Sequence, residues 1–273
     1  MDLFHALILG IVQGLTEFLP VSSSGHLIII PKIFHWGGIV DTLSFDVSLH
    51  LGTATALIIF FWKDWIRLTL HFFDKLFKDR KNILKDPDSK LFLLLIVGSV
   101  PAGLIGFLFQ NFIEENVRST LLIGVTLIVF GFLLWYFDKI AKNKENLKQI
   151  NFKDAVIIGV AQAIALIPGV SRSGVTITAA RAMNIDRESA VRFSFLLSAP
   201  AVLGAGLLTS RKLLKEGFGS PFIFLVGFLA AVVSGIFAIK LLLYLAKKDN
   251  FNIFVIYRLL LGAFLIVYSL FFS

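Results

Sequence analysis

Residues 13–26 place several reactive side chains within otherwise apolar sequence. The segment contains a carboxylate, an imidazole, three consecutive hydroxyls and two helix-breaking residues: Glu17, His26, Ser22, Ser23, Ser24, Pro20 and Gly25. An ionisable group at bilayer depth costs roughly 2.5–3.5 kcal/mol on insertion scales unless it faces a polar cavity or a partner. The breakers free backbone groups, which a membrane tolerates only where they are buried in protein or line a wet cavity. We therefore interpret the segment as half of an active site.

Glu17 and His26 offer three kinds of chemistry. They could bind a divalent cation, act as base and acid, or provide a nucleophile. Gln13 lies one helical turn before Glu17, at i−4, so both side chains face the same side of a helix. The alternatives are structural, with Glu17 as a protonated packing residue and His26 as a helix-capping imidazole.

The other half of the site appears as a repeat 149 residues later. Residues 155–178 (AVIIGVAQAIALIPGVSRSGVTIT) align with residues 6–29 (ALILGIVQGLTEFLPVSSSGHLII) and share the polar pattern Val-Ser-X-Ser-Gly. The reactive groups lie at the positions that differ: Glu17 against Leu166, Ser23 against Arg172, and His26 against Val175. Two broken hydrophobic segments at corresponding positions of two halves indicate a midplane site in an inverted-repeat membrane protein.

The second motif, residues 168–176 (PGVSRSGVT), combines breakers, hydroxyls and one arginine. A break that opens a helix N-terminus presents free N–H groups and the positive end of the helix dipole, which together favour an anion. Arg172 adds a planar guanidinium suited to bidentate phosphate recognition. The alternative is a structural arginine that extends to the membrane interface. The motif predicts a phosphate site built from these residues: Gly169, Ser171, Arg172, Ser173, Gly174 and Thr176.

Two further polar side chains, Asp46 and His50, follow the first motif at i, i+4 spacing, with Ser44 and Ser48 nearby. They either line the same cavity as the first motif or lie at the external membrane boundary. The spacing is compatible with both positions.

Composition places the chain in a membrane. Of its 273 residues, 57% are hydrophobic and only 16% are charged, whereas soluble domains average about 25% charged residues. Four apolar runs approach or exceed the roughly 20 residues that span a bilayer: 91–109, 119–137, 221–245 and 252–272. The absence of cysteine excludes disulfides and thiol chemistry. We attribute the net charge of +8 to membrane topology rather than to nucleic-acid binding.

Short loops rich in Lys and Arg stay cytoplasmic, and three polar segments of this chain are basic: residues 63–90, 138–153 and 246–251. We place all three inside. The apolar runs between the first two then form an out-and-back hairpin with its external tip at residues 110–118. The small basic patch at residues 211–215 is placed outside, against the usual bias.

These assignments fix the path of the two motifs. Each motif starts and ends on one side of the membrane as a re-entrant helix–break–helix hairpin, and three spanning helices follow it. The first half begins outside and the second inside. We predict an all-α polytopic membrane protein with an inverted-topology repeat, six transmembrane helices and two re-entrant hairpins, divided into repeats at residues 1–153 and 154–273.

Three motifs in this order resemble those of the bacterial undecaprenyl pyrophosphate phosphatase family, the bacitracin-resistance type: Gln13-X-X-X-Glu17, residues 20–26 and residues 168–176. The resemblance covers essentially the whole chain. It implies an enzyme of the bacterial cytoplasmic (inner) membrane that removes the terminal phosphate of undecaprenyl pyrophosphate with a divalent metal, Mg²⁺ or Ca²⁺. This reaction would recycle the lipid carrier for peptidoglycan synthesis and confer bacitracin resistance.

Carried over by position, the resemblance implies catalytic roles for four residues: Glu17, Ser23, His26 and Arg172. We assign substrate contacts to Gln13, Ser22, Ser24 and His50 in the first repeat, besides the phosphate-site residues of the second motif. The family often has Glu where this chain has Gln13, so the metal is expected on Glu17. It commonly has Gln where this chain has His50. The nucleophile is left open between Ser23, His26 and water.

The expected partners are a polyprenyl pyrophosphate lipid and membrane lipids, without nucleic acid and with homodimerisation left open. We expect the reaction on the extracytoplasmic face, because the first repeat opens outside. A transporter or lipid flippase is the main alternative, since broken helices in inverted repeats are typical of transporters. A second class of membrane phosphatase uses a later nucleophilic histidine, and no histidine follows His71, so that class is excluded.

Overall fold

The structure, a computed structural model, describes residues 2–116, 119–143, 145–216, 220–248 and 250–272. These ranges contain ten α-helices: α1 Asp2–Phe18, α2 Ser23–Phe34, α3 Leu43–Lys78, α4 Pro87–Asn116, α5 Thr120–Ile140, α6 Phe152–Ile164, α7 Arg172–Ala182, α8 Arg187–Glu216, α9 Pro221–Lys248 and α10 Asn252–Phe272. Two 3₁₀ turns, Gly38–Asp41 and Arg80–Asn82, complete the regular structure of this part of the chain. The all-helical prediction is confirmed for these residues.

Five helices within the described ranges are long and apolar enough to cross a membrane: Ser44–Lys78, Pro87–Phe109, Thr120–Ile140, Pro221–Lys248 and Asn252–Phe271. The prediction of a polytopic membrane protein agrees with this set. The predicted sixth span falls in α8, which is helical but is not among the five, so it stays a prediction. The side chains of residues 110–118 and 211–215 lie outside the described part of the chain, and so do the expectations placed on them.

Helix α3 is longer than the sequence predicts. It passes through non-helical dihedral angles at Phe61 and continues to Lys78, where a basic loop was expected to begin at residue 63. Ion pairs at i, i+4 spacing support this extension, with Lys78 Nζ 2.6 Å from Asp74 Oδ1 and Lys75 Nζ 3.4 Å from Asp79 Oδ2. Such pairs stabilise a helix surface by a few tenths of a kcal/mol each. The basic segment is therefore largely helix.

The two motifs form the same local structure, a helix broken by a short turn. Ser22 precedes α2 with φ 75° and Ser171 precedes α7 with φ 71°, both in the left-handed region. Each hydroxyl accepts a hydrogen bond from the first-turn amide of a glycine, Gly25 at 3.4 Å and Gly174 at 3.2 Å. These are N-caps, which satisfy amides that a helix start leaves without partners. The shared Ser-X-Ser-Gly pattern therefore builds both breaks.

Helices of one half of the chain pack against helices of the other half. Helix α1 lies along α9, α6 lies along α4, and α5 lies along α10. Glycines allow the close approaches, because a Cβ on Gly98 would lie 3.0 Å from the Ala155 carbonyl and one on Gly262 would lie 2.7 Å from the Gly124 carbonyl. Small residues let helices approach closely in membrane proteins. The first helix of each half thus packs on the fourth helix of the other.

Candidate active site

The two breaks meet at an ion pair. Nη2 of Arg172 donates a hydrogen bond of 2.8 Å to Oε1 of Glu17, which is 155 residues away in the chain. Both side chains are largely buried, with 7% of Glu17 and 16% of Arg172 exposed. The carboxylate at the end of α1 therefore lies against the guanidinium that begins α7, as a site shared between the repeats requires.

The second oxygen of Glu17 accepts two further hydrogen bonds. The hydroxyl of Ser23 donates to Oε2 at 2.5 Å, and the amide Nε2 of Gln13 donates to the same atom at 3.2 Å. An ionised carboxylate only accepts, so it suits three donors at once. In this short contact the Ser23 hydroxyl donates directly to a carboxylate oxygen that can accept its proton.

Two polar atoms beside this carboxylate are buried and have no hydrogen-bond partner in the described structure. They are Oε1 of Gln13, an acceptor, and Nη1 of Arg172, a donor. A buried polar group without a partner costs about 1–3 kcal/mol. A ligand that brings anionic oxygens to Arg172 and a cation to Gln13 would satisfy both atoms.

His26 lies on α2, three residues after Ser23, so the two side chains share one face of the helix. Its Nδ1 is 2.7 Å from the carbonyl oxygen of Ser22, and its Nε2 is 2.6 Å from the hydroxyl of Tyr257. A carbonyl can only accept, so Nδ1 carries the hydrogen and the neutral ring accepts at Nε2. Both ring nitrogens are therefore already engaged.

His50 reaches the same group from α3. Its Nε2 is 3.9 Å from Oε2 of Glu17, and its Nδ1 is 2.8 Å from the carbonyl oxygen of Asp46. With 38% of its side chain exposed, it forms the open rim beside the buried carboxylate. His50 therefore lies beside the first motif, and its position relative to the membrane boundary stays a prediction.

The remaining hydroxyls mostly bond within the protein. Ser171 and Ser22 cap helices; Ser24 Oγ lies 3.4 Å from Ser22 Oγ, and Ser173 donates to the carbonyl of Leu19 at 3.1 Å. Thr176 Oγ1 is 2.8 Å from the Arg172 carbonyl oxygen and 2.7 Å from Ser194 Oγ. These groups hold the loops that present Glu17 and Arg172.

The donor set for a metal ion is small. The described residues contain no group of three or more His, Asp or Glu side chains that could hold one. What they offer is oxygen: Glu17, the unpartnered Oε1 of Gln13 and the hydroxyl of Ser23. Mg²⁺ is usually bound by one or two carboxylates together with substrate phosphates. The residues fit an ion that is shared with a phosphorylated ligand.

Comparison with known proteins matches this chain to one family. A family model described as bacitracin resistance protein BacA matches residues 6–264. The chain belongs to this family. Relatives named undecaprenyl-diphosphatase include one from Thermodesulfovibrio yellowstonii, 46% identical over 272 residues, covering 99% of this chain and 98% of the relative. A second, from Caldicellulosiruptor bescii, is 44% identical over 271 residues with the same coverage. The family that the sequence resembles is thereby confirmed.

Two residues of this BacA-family chain were missed by the sequence reasoning, Tyr257 and Arg258, both on α10. Arg258 is fully buried, and its guanidinium donates to four backbone carbonyl oxygens: those of Pro20 at 3.2 Å, Gly169 at 3.1 Å, Val170 at 2.9 Å and Leu127 at 3.2 Å. Arg258 therefore links the turn between α1 and α2 to the turn between α6 and α7 through hydrogen bonds to both. An arginine within the apolar run 252–272 was the available signal, because intramembrane charge marks functional positions.

Proposed function

We propose that this chain is an integral-membrane phosphatase that hydrolyses undecaprenyl pyrophosphate to undecaprenyl phosphate and inorganic phosphate. The observation that carries the proposal is the buried group in which Arg172 and Ser23 contact opposite oxygens of Glu17. The names of the relatives support the same activity. Recycling of the lipid carrier for peptidoglycan synthesis, and bacitracin resistance, follow from that reaction.

The proposal includes the predicted architecture of six spans and two re-entrant hairpins in inverted repeats, residues 1–153 and 154–273. The exchanged packing of α1 on α9 and α6 on α4 supports it, because a pseudo-twofold axis produces such reciprocal pairs. The protein would lie in the bacterial inner membrane with the site open to the extracytoplasmic side. The polyprenyl tail would stay among lipids, so only the headgroup needs polar contacts.

Among the three candidate nucleophiles, the geometry favours Ser23. Its hydroxyl already donates to Glu17 at 2.5 Å, the arrangement of a nucleophile and its base. Nε2 of His26, by contrast, is occupied by Tyr257. His26 would then serve the reaction as an acid–base or orienting group rather than as the attacking atom.

The bonds exchanged are as follows. Ser23 Oγ attacks the terminal phosphorus, and its proton passes to Glu17. The anhydride P–O bond breaks, and undecaprenyl phosphate leaves with the bridging oxygen, which takes that proton from Glu17 and frees the carboxylate for the second step. Water then attacks the phosphoserine, gives a proton to Glu17, and releases inorganic phosphate. That proton returns to Oγ and restores the Ser23 hydroxyl, so Glu17 acts as the base in both steps.

Arg172 and the start of α7 would hold the phosphoryl group. The free Nη1 of Arg172 is available to a phosphate oxygen while Nη2 stays on Glu17. The N-terminus of α7 adds its positive dipole end at the same place. Fixed donors aimed at developing charge are usually the largest single contribution to catalysis.

A divalent cation, Mg²⁺ or Ca²⁺, would be held by Glu17 and Oε1 of Gln13 together with phosphate oxygens of the substrate. When bound, such an ion neutralises charge on the transferring phosphoryl group.

The test is phosphate release from undecaprenyl pyrophosphate by purified protein in detergent, with and without EDTA. We expect release that needs metal, and its loss in Glu17→Ala, Arg172→Ala and Ser23→Ala. Ser99→Ala is the matched control, because Ser99 is a part-buried serine on α4 whose hydroxyl bonds only the Leu95 carbonyl. Rapid quenching followed by mass spectrometry should find phosphate on Ser23.

Two results would redirect the proposal. Activity retained by Ser23→Ala would transfer the attack to water or His26. An absence of release from well-folded protein, with or without metal, would overturn the phosphatase and turn attention to lipid flux across liposomes.

A further inference from the structure

We propose that Tyr257 is a positioning residue for His26, whose hydroxyl holds the imidazole in one orientation throughout the reaction. The proposal rests on the proposed phosphatase and adds to it a residue outside both motifs. Tyr257 lies 231 residues after His26 in the chain, on a helix that the sequence marks only as an apolar span.

The contact between the two side chains has two components. The Tyr257 hydroxyl is 2.6 Å from Nε2 of His26. The two rings are also nearly parallel, at an interplanar angle of 10° with centroids 5.7 Å apart. On its other side, His26 is fixed by the carbonyl of Ser22 at 2.7 Å. The imidazole is thus held at both nitrogens and across one face.

The hydroxyl suits a group that changes protonation state. It donates to Nε2 when His26 is neutral, and it can accept from Nε2–H when His26 is protonated. The hydrogen bond can therefore persist while His26 gains and loses a proton. A phenylalanine would keep the stacked ring and lose this property.

The surroundings of Tyr257 show that packing alone does not require a hydroxyl there. Its neighbours on the same face of α10, Ile253 and Leu260, are 65% and 68% exposed, as expected for a surface that meets lipid tails. Tyr257 itself is 43% exposed, yet its polar atom turns inward to His26. A phenylalanine would fit that surface equally well.

The adjacent Arg258 sets the position of Tyr257 relative to the hairpins. Arg258 bonds the carbonyl of Pro20 in the first break and those of Gly169 and Val170 in the second. We call these hydrogen bonds of Arg258 the Arg258 clamp. Because Tyr257 and Arg258 are consecutive on one helix, the clamp also fixes the position of Tyr257 beside His26. The helix α10 thus forms a third wall of the site.

The experiment compares Tyr257→Phe with Tyr136→Phe. Tyr136 is a matched control, since it lies on α5 and is 44% exposed. We expect Tyr257→Phe to lower kcat roughly tenfold or more, the size of loss found when a hydrogen-bond partner that orients a metal-bound imidazole is removed. KM should change little, because the hydroxyl contacts His26 and not the substrate. Tyr136→Phe should match the unaltered protein in both constants.

A second readout is independent of turnover. In protein labelled with ¹⁵N-histidine, the Nε2 resonance of His26, assigned by its absence in His26→Gln, should report a hydrogen-bonded acceptor. In Tyr257→Phe the same nitrogen should shift to the position of a free acceptor.

Wild-type kcat in Tyr257→Phe, or an Nε2 resonance that does not move, would overturn the positioning role. A fall in kcat together with the shift would establish it. If the unaltered protein releases no phosphate, the proposed function fails, while the resonance still decides whether the hydroxyl holds His26.

Discussion

The two hairpins have the same backbone conformation at their breaks and carry different reactive side chains. Hairpin one (α1, α2 and the turn between them) and hairpin two (α6, α7 and their turn) both begin their second helix after a left-handed serine that caps a glycine amide. Where hairpin one has Glu17, hairpin two has Leu166, and where hairpin one has Ser23, hairpin two has Arg172. The shared residues build the break, whereas Glu17 and Arg172, which lie at positions that differ, pair with each other across the site.

Gln13 and Gln162, which occupy equivalent positions in the two hairpins, show most clearly how shared and differing residues divide their roles. Gln13 donates to Glu17 through its amide nitrogen. Gln162, at the corresponding place, is 3% exposed, and neither of its side-chain polar atoms has a partner among the described residues. Leu166 explains the difference, because it cannot accept a hydrogen bond. Gln162 therefore occupies the place of Gln13 but has no carboxylate to which it can donate.

The largest expected effect comes from making hairpin one resemble hairpin two. Glu17→Leu should lower phosphate release by about 10³-fold or more, because it removes both the base and the partner of Arg172. The reciprocal change, Leu166→Glu, should not restore activity in the Glu17→Leu background, because hairpin one has no arginine that could pair with the new carboxylate. Restoration would show that the two hairpins are interchangeable.

Breaking the link between the hairpins should come next. Arg258→Met removes four hydrogen bonds from a buried guanidinium and leaves carbonyls of both breaks without donors, so the free energy of unfolding should fall by roughly 3 kcal/mol. Thermal unfolding in detergent measures this change. Arg67→Met is the control, since Arg67 is half exposed and pairs with Asp64 and Asp88 outside the hairpins. Equal melting temperatures for the two variants would contradict the clamp.

A smaller loss is expected at Gly169, which occupies the position that Pro20 has in hairpin one. Gly169 adopts φ +90°, and an added Cβ would lie 2.8 Å from the carbonyl oxygen of Ile123. Gly169→Ala should therefore destabilise the protein by about 2 kcal/mol. Gly103→Ala, in an open part of α4 with no atom within 4 Å of the new Cβ, should be neutral or slightly stabilising. The same thermal unfolding assay should separate the two variants.

The smallest effect has the opposite sign. Gln162→Leu removes a buried amide without partners, so we expect it to raise the free energy of unfolding by about 1 kcal/mol with activity unchanged. Gln13→Leu should instead lower phosphate release, because it removes a donor to Glu17. Loss of activity in Gln162→Leu would mean that hairpin two uses its glutamine after all.

Local pattern was sufficient to predict both breaks and the opposition of Glu17 and Arg172, because breakers and charges are unusual in apolar sequence. It could not predict that α10 supplies Tyr257 and Arg258, since their partners are tertiary contacts that lie between 88 and 238 residues away in the chain. It also could not tell that Ser173 and Thr176 bond the protein itself, because a hydroxyl has the same sequence signature whether it binds a ligand or a carbonyl. The extension of α3 was not predicted because a dense run of charged residues is typical both of a loop and of a helix surface that carries i, i+4 ion pairs.

The separation of 155 residues from Glu17 to Arg172 also fixes the order in which the two halves of the site are synthesised. At 5–20 residues per second, the ribosome takes on the order of 10–30 seconds to reach the arginine after the glutamate. Until then the carboxylate of Glu17 lacks the Arg172 guanidinium with which it pairs, and Arg258 is synthesised later still. On the proposed function, no turnover is expected before Arg172 has been synthesised, and a chain released before that residue would carry only the first hairpin into the membrane.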